Sequence, residues 1–266
     1  FLANWYLSYK LTDNLSFRSE YGINNINNDD EQYIDAIVDG NSEAKAFASA
    51  GMRNSWNFKN LLNYKESFGK HRIDVLAGLE ASKTERKTSN IRGIGFVNST
   101  LRTPQDASLI ESYFNKDAYS FLSILARVNY DFDSKYLLSI TARRDGSSRF
   151  GENKKWGLFP AVSVGYNISE EEFFSGLKNT INFMKIRASY GESGNAEIGN
   201  YAYASSYGQA NYNNNNGITL SNIGDDELSW ESVEQTNVGL TIQMFDNKFS
   251  LDVDAYQKTT KDMLLP

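Results

Sequence analysis

Leu122-Ser123-Ile124-Leu125-Ala126-Arg127-Val128-Asn129-Tyr130 runs into Asp131-Phe132-Asp133-Ser134 and then into Tyr136-Leu137-Leu138-Ser139-Ile140-Thr141-Ala142-Arg143. In the first run Leu122, Ile124, Ala126, Val128 and Tyr130 alternate with Ser123, Arg127 and Asn129. In the second, Tyr136, Leu138, Ile140 and Ala142 oppose Ser139, Thr141 and Arg143. A period of two puts the apolar set on one face of a strand and the polar set on the other, so the stretch predicts a hairpin closed by a tight turn.

The same alternation recurs on both sides of this hairpin. Upstream, Phe1 to Leu11 pairs with a segment built on Leu15, Phe17, Tyr21 and Ile23; Trp56, Phe58, Leu62 and Tyr64 precede Ile73, Val75, Ala77 and Leu79. Downstream come Trp156 to Tyr166, Met184 to Tyr190, Val238 to Met244 and Phe249 to Ala255. About ten strands of roughly ten residues are expected, each rising about 23 Å at a 45° tilt, close to the ~25 Å apolar band of a transmembrane barrel. The links alternate in length: 12–14, 65–70, 131–134 and 246–247 are short, whereas 25–45, 83–117, 145–155 and 191–227 are long. Short turns at one end and long loops at the other are the pattern of an outer-membrane barrel. The link 167–182 lies on the short side yet holds Ser169 and Glu172 at capping-box spacing, which predicts a short helix on the periplasmic rim. Trp56, Trp156 and Trp230 at one end, and Tyr9, Tyr64, Tyr130, Tyr136 and Tyr166 at the other, are expected to form two interfacial girdles.

Composition agrees with an all-β chain. Aromatic residues make up 14% of the 266, with 16 Tyr, 16 Phe and only 3 Pro, a profile that suits pleated, half-buried surfaces. Mean hydropathy is −0.52, which a barrel tolerates because only alternate residues face lipid. No apolar run reaches the roughly 18 residues of a membrane helix. Zero Cys and a single His, His71, remove disulfides, thiolate metal sites and histidine-based catalysis from consideration. The net charge of −6 argues against nucleic acid as a partner. Asp225-Asp226 has no EF-hand spacing behind it, and Gly93 and Gly95 lack the strand-to-helix context of a nucleotide loop. No enzyme, cofactor or metal site is therefore expected, and His71 reads as structural.

Arg144-Asp145-Gly146-Ser147-Ser148-Arg149-Phe150-Gly151, followed by Lys155-Trp156-Gly157 and Phe159-Pro160-Ala161, closely resembles the SusC/RagA family of TonB-dependent outer-membrane transporters. The resemblance continues through Lys185-Ile186-Arg187-Ala188-Ser189-Tyr190-Gly191, Ser193-Gly194-Asn195, Leu228-Ser229-Trp230-Glu231 and Asp262-Met263-Leu264-Leu265. It departs at Tyr166, where the family usually has Trp, and near Gly224, where Asp225-Asp226 replaces Asn-Pro-Asp. The resemblance implies that residues 1–266 are part of the β-barrel domain of a bacterial outer-membrane protein. Such barrels have roughly 22 strands around a plugged lumen; about ten are legible here, so an open section of wall is expected, with plug, TonB box and final strand outside it. It further implies uptake of an oligosaccharide or peptide ligand, a SusD-like lipoprotein lid, the TonB complex and outer-membrane lipid as partners. A passive porin-like barrel and a secreted glycan-binding β-sandwich are the rivals.

Four residues are candidate lumen or rim ligand contacts: Arg143, Asp145, Arg149 and Trp230. The structural alternative makes Asp145-Gly146 a tight turn and the arginines partners of carboxylates, and it is preferred because turn chemistry accounts for Asp-Gly. Trp230 could stack on a sugar face, but its position favours the girdle. Residues 211–216 read first as a solvated loop.

Overall fold

The computed structural model describes residues 1–39, 43–98, 100–212 and 215–264. Twelve strands follow in order: β1 (Leu2–Lys10), β2 (Leu15–Ile34), β3 (Lys45–Phe68), β4 (His71–Ile94), β5 (Leu109–Phe132), β6 (Tyr136–Ser147), β7 (Trp156–Asn167), β8 (Ile181–Asn195), β9 (Ser206–Tyr212), β10 (Asn215–Asn222), β11 (Glu231–Met244) and β12 (Phe249–Lys261). Ten form one antiparallel sheet, β1-β2-β3-β4-β5-β6-β7-β8-β11-β12, and β9 pairs with β10 as a separate hairpin. The predicted all-β antiparallel arrangement is therefore present, with consecutive strands adjacent from β1 to β8 and β8 pairing next with β11, past the separate hairpin. The expected loop 211–216 is the tip of the β9–β10 hairpin, with Asn211 and Asn215 in its strands; residues 213–214 lie outside the described set.

Contacts divide the chain into two units. The first holds Phe1–Trp5, Tyr21–Phe58 and Ser82–Ser120. Here the strands run well past the boundaries that apolar periodicity sets. Residues 25–34 and 83–94, read from sequence as loop, belong to β2 and β4. The Ser82-Lys83-Thr84-Glu85-Arg86-Lys87 stretch is polar on both faces, so it carries no period-two signal, yet backbone pairing requires none; Ser55 and Thr84 join their hydroxyls at 3.1 Å. The long links thus shrink to 35–44 and 95–108, still longer than the turns at the opposite ends. Trp5, Tyr21 and Phe58 make a ring row, with centroids 6.0 and 6.5 Å apart.

The second unit holds Tyr6–Glu20, Lys59–Ala81 and Phe121–Pro266. At the deciding hairpin, Asp133 and Ser134 both take positive φ (55° and 58°), and Lys135 N donates to Phe132 O at 3.0 Å. That two-residue geometry matches the right-handed twist of the flanking strands. The register sets Val128 against Ile140 and Ile140 against Val162. On this face the side chains stay open: Ile124 is 51% exposed, Leu158 62% and Val253 53%. A soluble sandwich would bury such a row against a second sheet; an apolar face left bare along every strand suits a lipid solvent.

Two local expectations change. Asp145 and Gly146 form no turn; they lie inside β6, opposite Ser123 and Leu122 of β5 and Gly157 and Trp156 of β7. The glycine serves packing instead, since a Cβ there would meet the Trp156 ring at 2.9 Å. The link after β7 is helical as expected but as two 3-10 turns, Ile168–Glu170 and Glu172–Leu177. Glu171 precedes the longer turn without a side-chain cap, and Ser169 is fully buried in the shorter one, so no Ser169–Glu172 capping box forms.

Candidate functional site

The polar face of the second unit carries Arg143 and Asp145 on β6, Ser123 on β5, and Lys59 and Glu80 on β3 and β4. Alternation places Arg143 and Asp145 on one side of their strand, two residues apart, and the guanidinium closes on the carboxylate: Arg143 Nε donates to both Asp145 oxygens, at 2.8 and 3.0 Å. Arg143 Nη2 donates to Glu80 at 2.8 Å and to the buried Ser123 hydroxyl at 3.0 Å. Lys59 completes the chain by pairing with the other Glu80 oxygen at 2.9 Å. Two cations and two carboxylates balance across four neighbouring strands, so the site is a neutral polar belt. The expectation that carboxylates engage Arg143 is met, though without the turn it was tied to.

Beyond this belt the motif continues into the 148–155 loop. Phe150 is buried, with Trp230 at 5.3 Å; Trp230 also packs against Phe159 at 5.4 Å and Phe121 at 6.3 Å. Phe121 and Phe159 stand on the same strand faces as Ser123 and Ser163, so this cluster belongs to the polar side. Trp230 is consequently no girdle residue: its ring lies over Gly157, where a Cβ would sit 3.2 Å from it, and its indole N–H donates to Lys155 O at 3.1 Å. Arg149 reaches the other way, donating to Ala196 O at 2.9 Å and to the Asn200 side chain at 3.0 Å. These two bonds run to a backbone carbonyl and a side-chain carbonyl of the loop after β8. Just outside the strands, Lys154 pairs with Glu227 at 2.8 Å, which holds the ammonium above its ordinary range.

The four candidates thus form two adjoining groups, Arg143 with Asp145, and Arg149 with Trp230 through Phe150. Trp156 is the true girdle residue here, on the apolar face with the Arg144 guanidinium 4.8 Å above its ring. At the opposite end Tyr136 and Tyr166 stack at 5.2 Å, and His71 sits among Phe68, Tyr130 and Phe132, its Nδ1 2.7 Å from the Tyr130 hydroxyl.

Sequence reasoning passed over a cleft of about 550 Å³ on the polar face near the short-turn end, lined by Arg72, Asp74, Asp131, Lys185, Arg187 and Asp254 among others. Its signal was present, since all of these except Asp131, which reads from sequence as part of the turn 131–134, are polar positions of alternating strands, but no motif sets them apart. Arg72 pairs with Asp131 at 3.3 Å, and Arg187 holds Asp254 through two contacts of 2.7 Å. Among the described residues no group of three His, Cys, Asp or Glu side chains is placed to hold a metal ion.

Comparison with known proteins agrees with this geometry. The family model for the TonB-dependent receptor-like β-barrel matches residues 1–266. TonB-dependent receptor P39 of Formosa agariphila is 34% identical over 266 residues, covering 97% of this chain and 26% of that protein. TonB-dependent receptor SusC of Bacteroides thetaiotaomicron is 29% identical over 216 residues, or 76% of this chain and 21% of SusC. The solved RagAB peptide transporter superposes with a TM-score of 0.92 at 29% identity, covering 99% of this chain and 30% of that one. The chain thus spans about a quarter of the length of these curated relatives. With a bare apolar strand face, a polar belt behind it and a family match along its whole length, the chain belongs to the TonB-dependent receptors of the SusC/RagA type, as part of their outer-membrane β-barrel.

Proposed function

We propose that this chain is a section of the wall of an importer that draws a nutrient, a peptide or an oligosaccharide, across the outer membrane under the drive of the TonB complex, with a SusD-like lipoprotein as its outer lid. The likeness that carries the reading is the TM-score of 0.92 to the RagAB peptide transporter over 99% of the chain. The family match favours an energised importer over a passive pore. Catalysis has no part in the reading; the wall works by presenting lipid-compatible residues outward and a neutral, hydrogen-bonded belt inward. Within it Arg149 and Trp230 fix the entrance loops, and Arg143 with Asp145 ties β6 to β4 and β5, since their polar atoms are already engaged by Ala196, Asn200 and Lys155 and by Glu80 and Ser123. A ligand meets the surfaces they hold in place.

The test is uptake by the full-length receptor in its host, with peptide and oligosaccharide pools as the only nutrient. Growth on one pool that disappears when the receptor or TonB is removed supports the importer. Growth that persists without TonB would sink it.

A further inference from the structure

The link between β7 and β8 stands apart from its neighbours. At the short-turn end the other connections span residues 11–14, 69–70, 133–135 and 245–248, whereas this one spans 168–180 and folds into two 3-10 turns. Its place is fixed by Glu171, which accepts hydrogen bonds from Tyr136 Oη at 2.8 Å, Lys135 Nζ at 3.0 Å and Tyr166 Oη at 3.2 Å. Tyr136 and Tyr166 face each other across β6 and β7, on the side that carries Leu138, Ile140, Val162 and Val164. Their rings lie parallel to within 4°. The segment is therefore hung from the apolar face, at its lower edge.

Its apolar residues are divided. Phe174 is 3% exposed and packs inward, whereas Phe173 is 72% exposed and Leu177, four residues on, 52%. Between them Gly176 has nothing within 4 Å of the place a Cβ would take. Of the flanking charges, Lys178 lies 3.9 Å from Glu170, and Glu172 stays exposed beside Phe173. A short element that leaves two apolar side chains exposed, attached to the rim of an apolar band and flanked by charges, has the form of an interfacial anchor, which embeds its apolar residues about 5–10 Å into the headgroup boundary. Short turns mark the periplasmic end of such barrels.

We propose that residues 168–177 anchor the barrel wall in the periplasmic leaflet of the outer membrane, with Phe173 and Leu177 seated among the upper acyl carbons and Glu171 tying the segment to the tyrosine girdle. This rests on the outer-membrane reading and extends the lipid contact from the strands to this turn. The occupant is phospholipid, because the patch continues a face that is already bare and apolar along β6 and β7.

The experiment uses the full-length receptor in phospholipid vesicles. This chain has no cysteine, so nitroxide labels enter at Phe173→Cys, Leu177→Cys, Asn179→Cys in the same link, and Ile140→Cys in the apolar band, any cysteine elsewhere in the receptor being replaced by serine. Collision with dissolved oxygen, which concentrates in lipid, is compared with collision with a water-soluble nickel chelate. Labels at 173 and 177 are expected to favour oxygen several-fold, as at 140, while 179 favours nickel. If 173 and 177 favour nickel they face water; if both reagents are excluded they lie under protein. Either result overturns the anchor while leaving the barrel intact, provided 140 favours oxygen. If 140 fails to do so, the membrane reading itself falls.

Discussion

Arg187 of β8 and Asp254 of β12 are joined at 2.7 Å across an intervening strand, and the residue beneath the bridge is Gly239 of β11, in register with both. A Cβ on Gly239 would stand 2.6 Å from Arg187 Nε and inside contact of the Asp254 carboxylate. The absence of a side chain is what lets the guanidinium pass over the middle strand. Arg187 Nη1 also donates to Thr241, at 2.5 Å, and Thr241 donates to Asp252 at 2.6 Å. Gly239→Leu is therefore expected to displace the pair and open the β8–β11–β12 edge. Asp254→Ala removes only one partner, and because the two side chains are 36% and 51% exposed, its cost should be about 0.5 kcal/mol, as for solvent-screened pairs. Hydrogen exchange of the full-length receptor checks the order: faster exchange across Val238–Leu240 in Gly239→Leu than in Asp254→Ala.

Arg143 offers a sharper contrast, because it is the hub of its belt. In Arg143→Met, Asp145 loses its charged partner while Glu80 keeps Lys59. A half-buried carboxylate stripped of its charged partner costs about 1–3 kcal/mol. The double change Arg143→Met with Asp145→Leu should recover part of that loss, since replacing both partners with apolar groups removes the desolvation penalty. Denaturant midpoints of the two variants against the parent test this; equal loss in the single and the double variant would mean that the pair is not coupled.

Trp230 holds the 148–155 loop by its rings against Phe150 and Phe159 and by its bond to Lys155 O. Trp230→Ala should cost about 2–3 kcal/mol locally, less than a fully buried tryptophan. The readout is trypsin cleavage at Lys154 and Lys155, expected to be several-fold faster than in the parent. Trp156→Ala, altering the outer face at the same height, should leave that rate unchanged.

How far the fold was legible follows from which signal each part depends on. The hairpin of β5 and β6 was readable because its period-two contrast is strong, and Leu122, Ile124 and Ile140 do lie on one face. The outer reaches of β2 and β4 were not, because Asn27-Asn28-Asp29-Asp30 and Thr84-Glu85-Arg86-Lys87 are polar on both sides, and a strand paired in water needs no apolar face. Asp145-Gly146 misled for a chemical reason: the dipeptide suits a turn, but here the carboxylate serves Arg143 and the glycine makes room for Trp156. Trp230 misled by position, since a tryptophan after a long loop can go to either face and only Phe150 and Phe159 decide which. The cleft at Arg187 had no sequence signature, because it is assembled from single polar positions on strands far apart in the chain.

Acid should unfasten the β7–β8 link before it disturbs the strands. The Tyr136 hydroxyl, and after it the Lys135 ammonium, hold the Glu171 carboxyl below its ordinary value of 4.5. A carboxyl whose folded pKa is depressed contributes stability that is complete above the unfolded value and is lost as pH falls through the folded one. The link should therefore stay protected from pH 7 down to about 4.5, and loosen below it as Glu171 protonates. At the alkaline end Lys135, raised above 10.5 by the same bond to Glu171, keeps its contribution below 10.5 and loses it as pH rises past its shifted value. Hydrogen exchange of residues 168–177, corrected for intrinsic rates, should show the acid step in the parent. Glu171→Gln, which cannot ionise, should exchange faster at pH 7 and show no step. A step of the same size in that variant would assign the acid response to another group and remove Glu171 as the tie between the turn and the tyrosines.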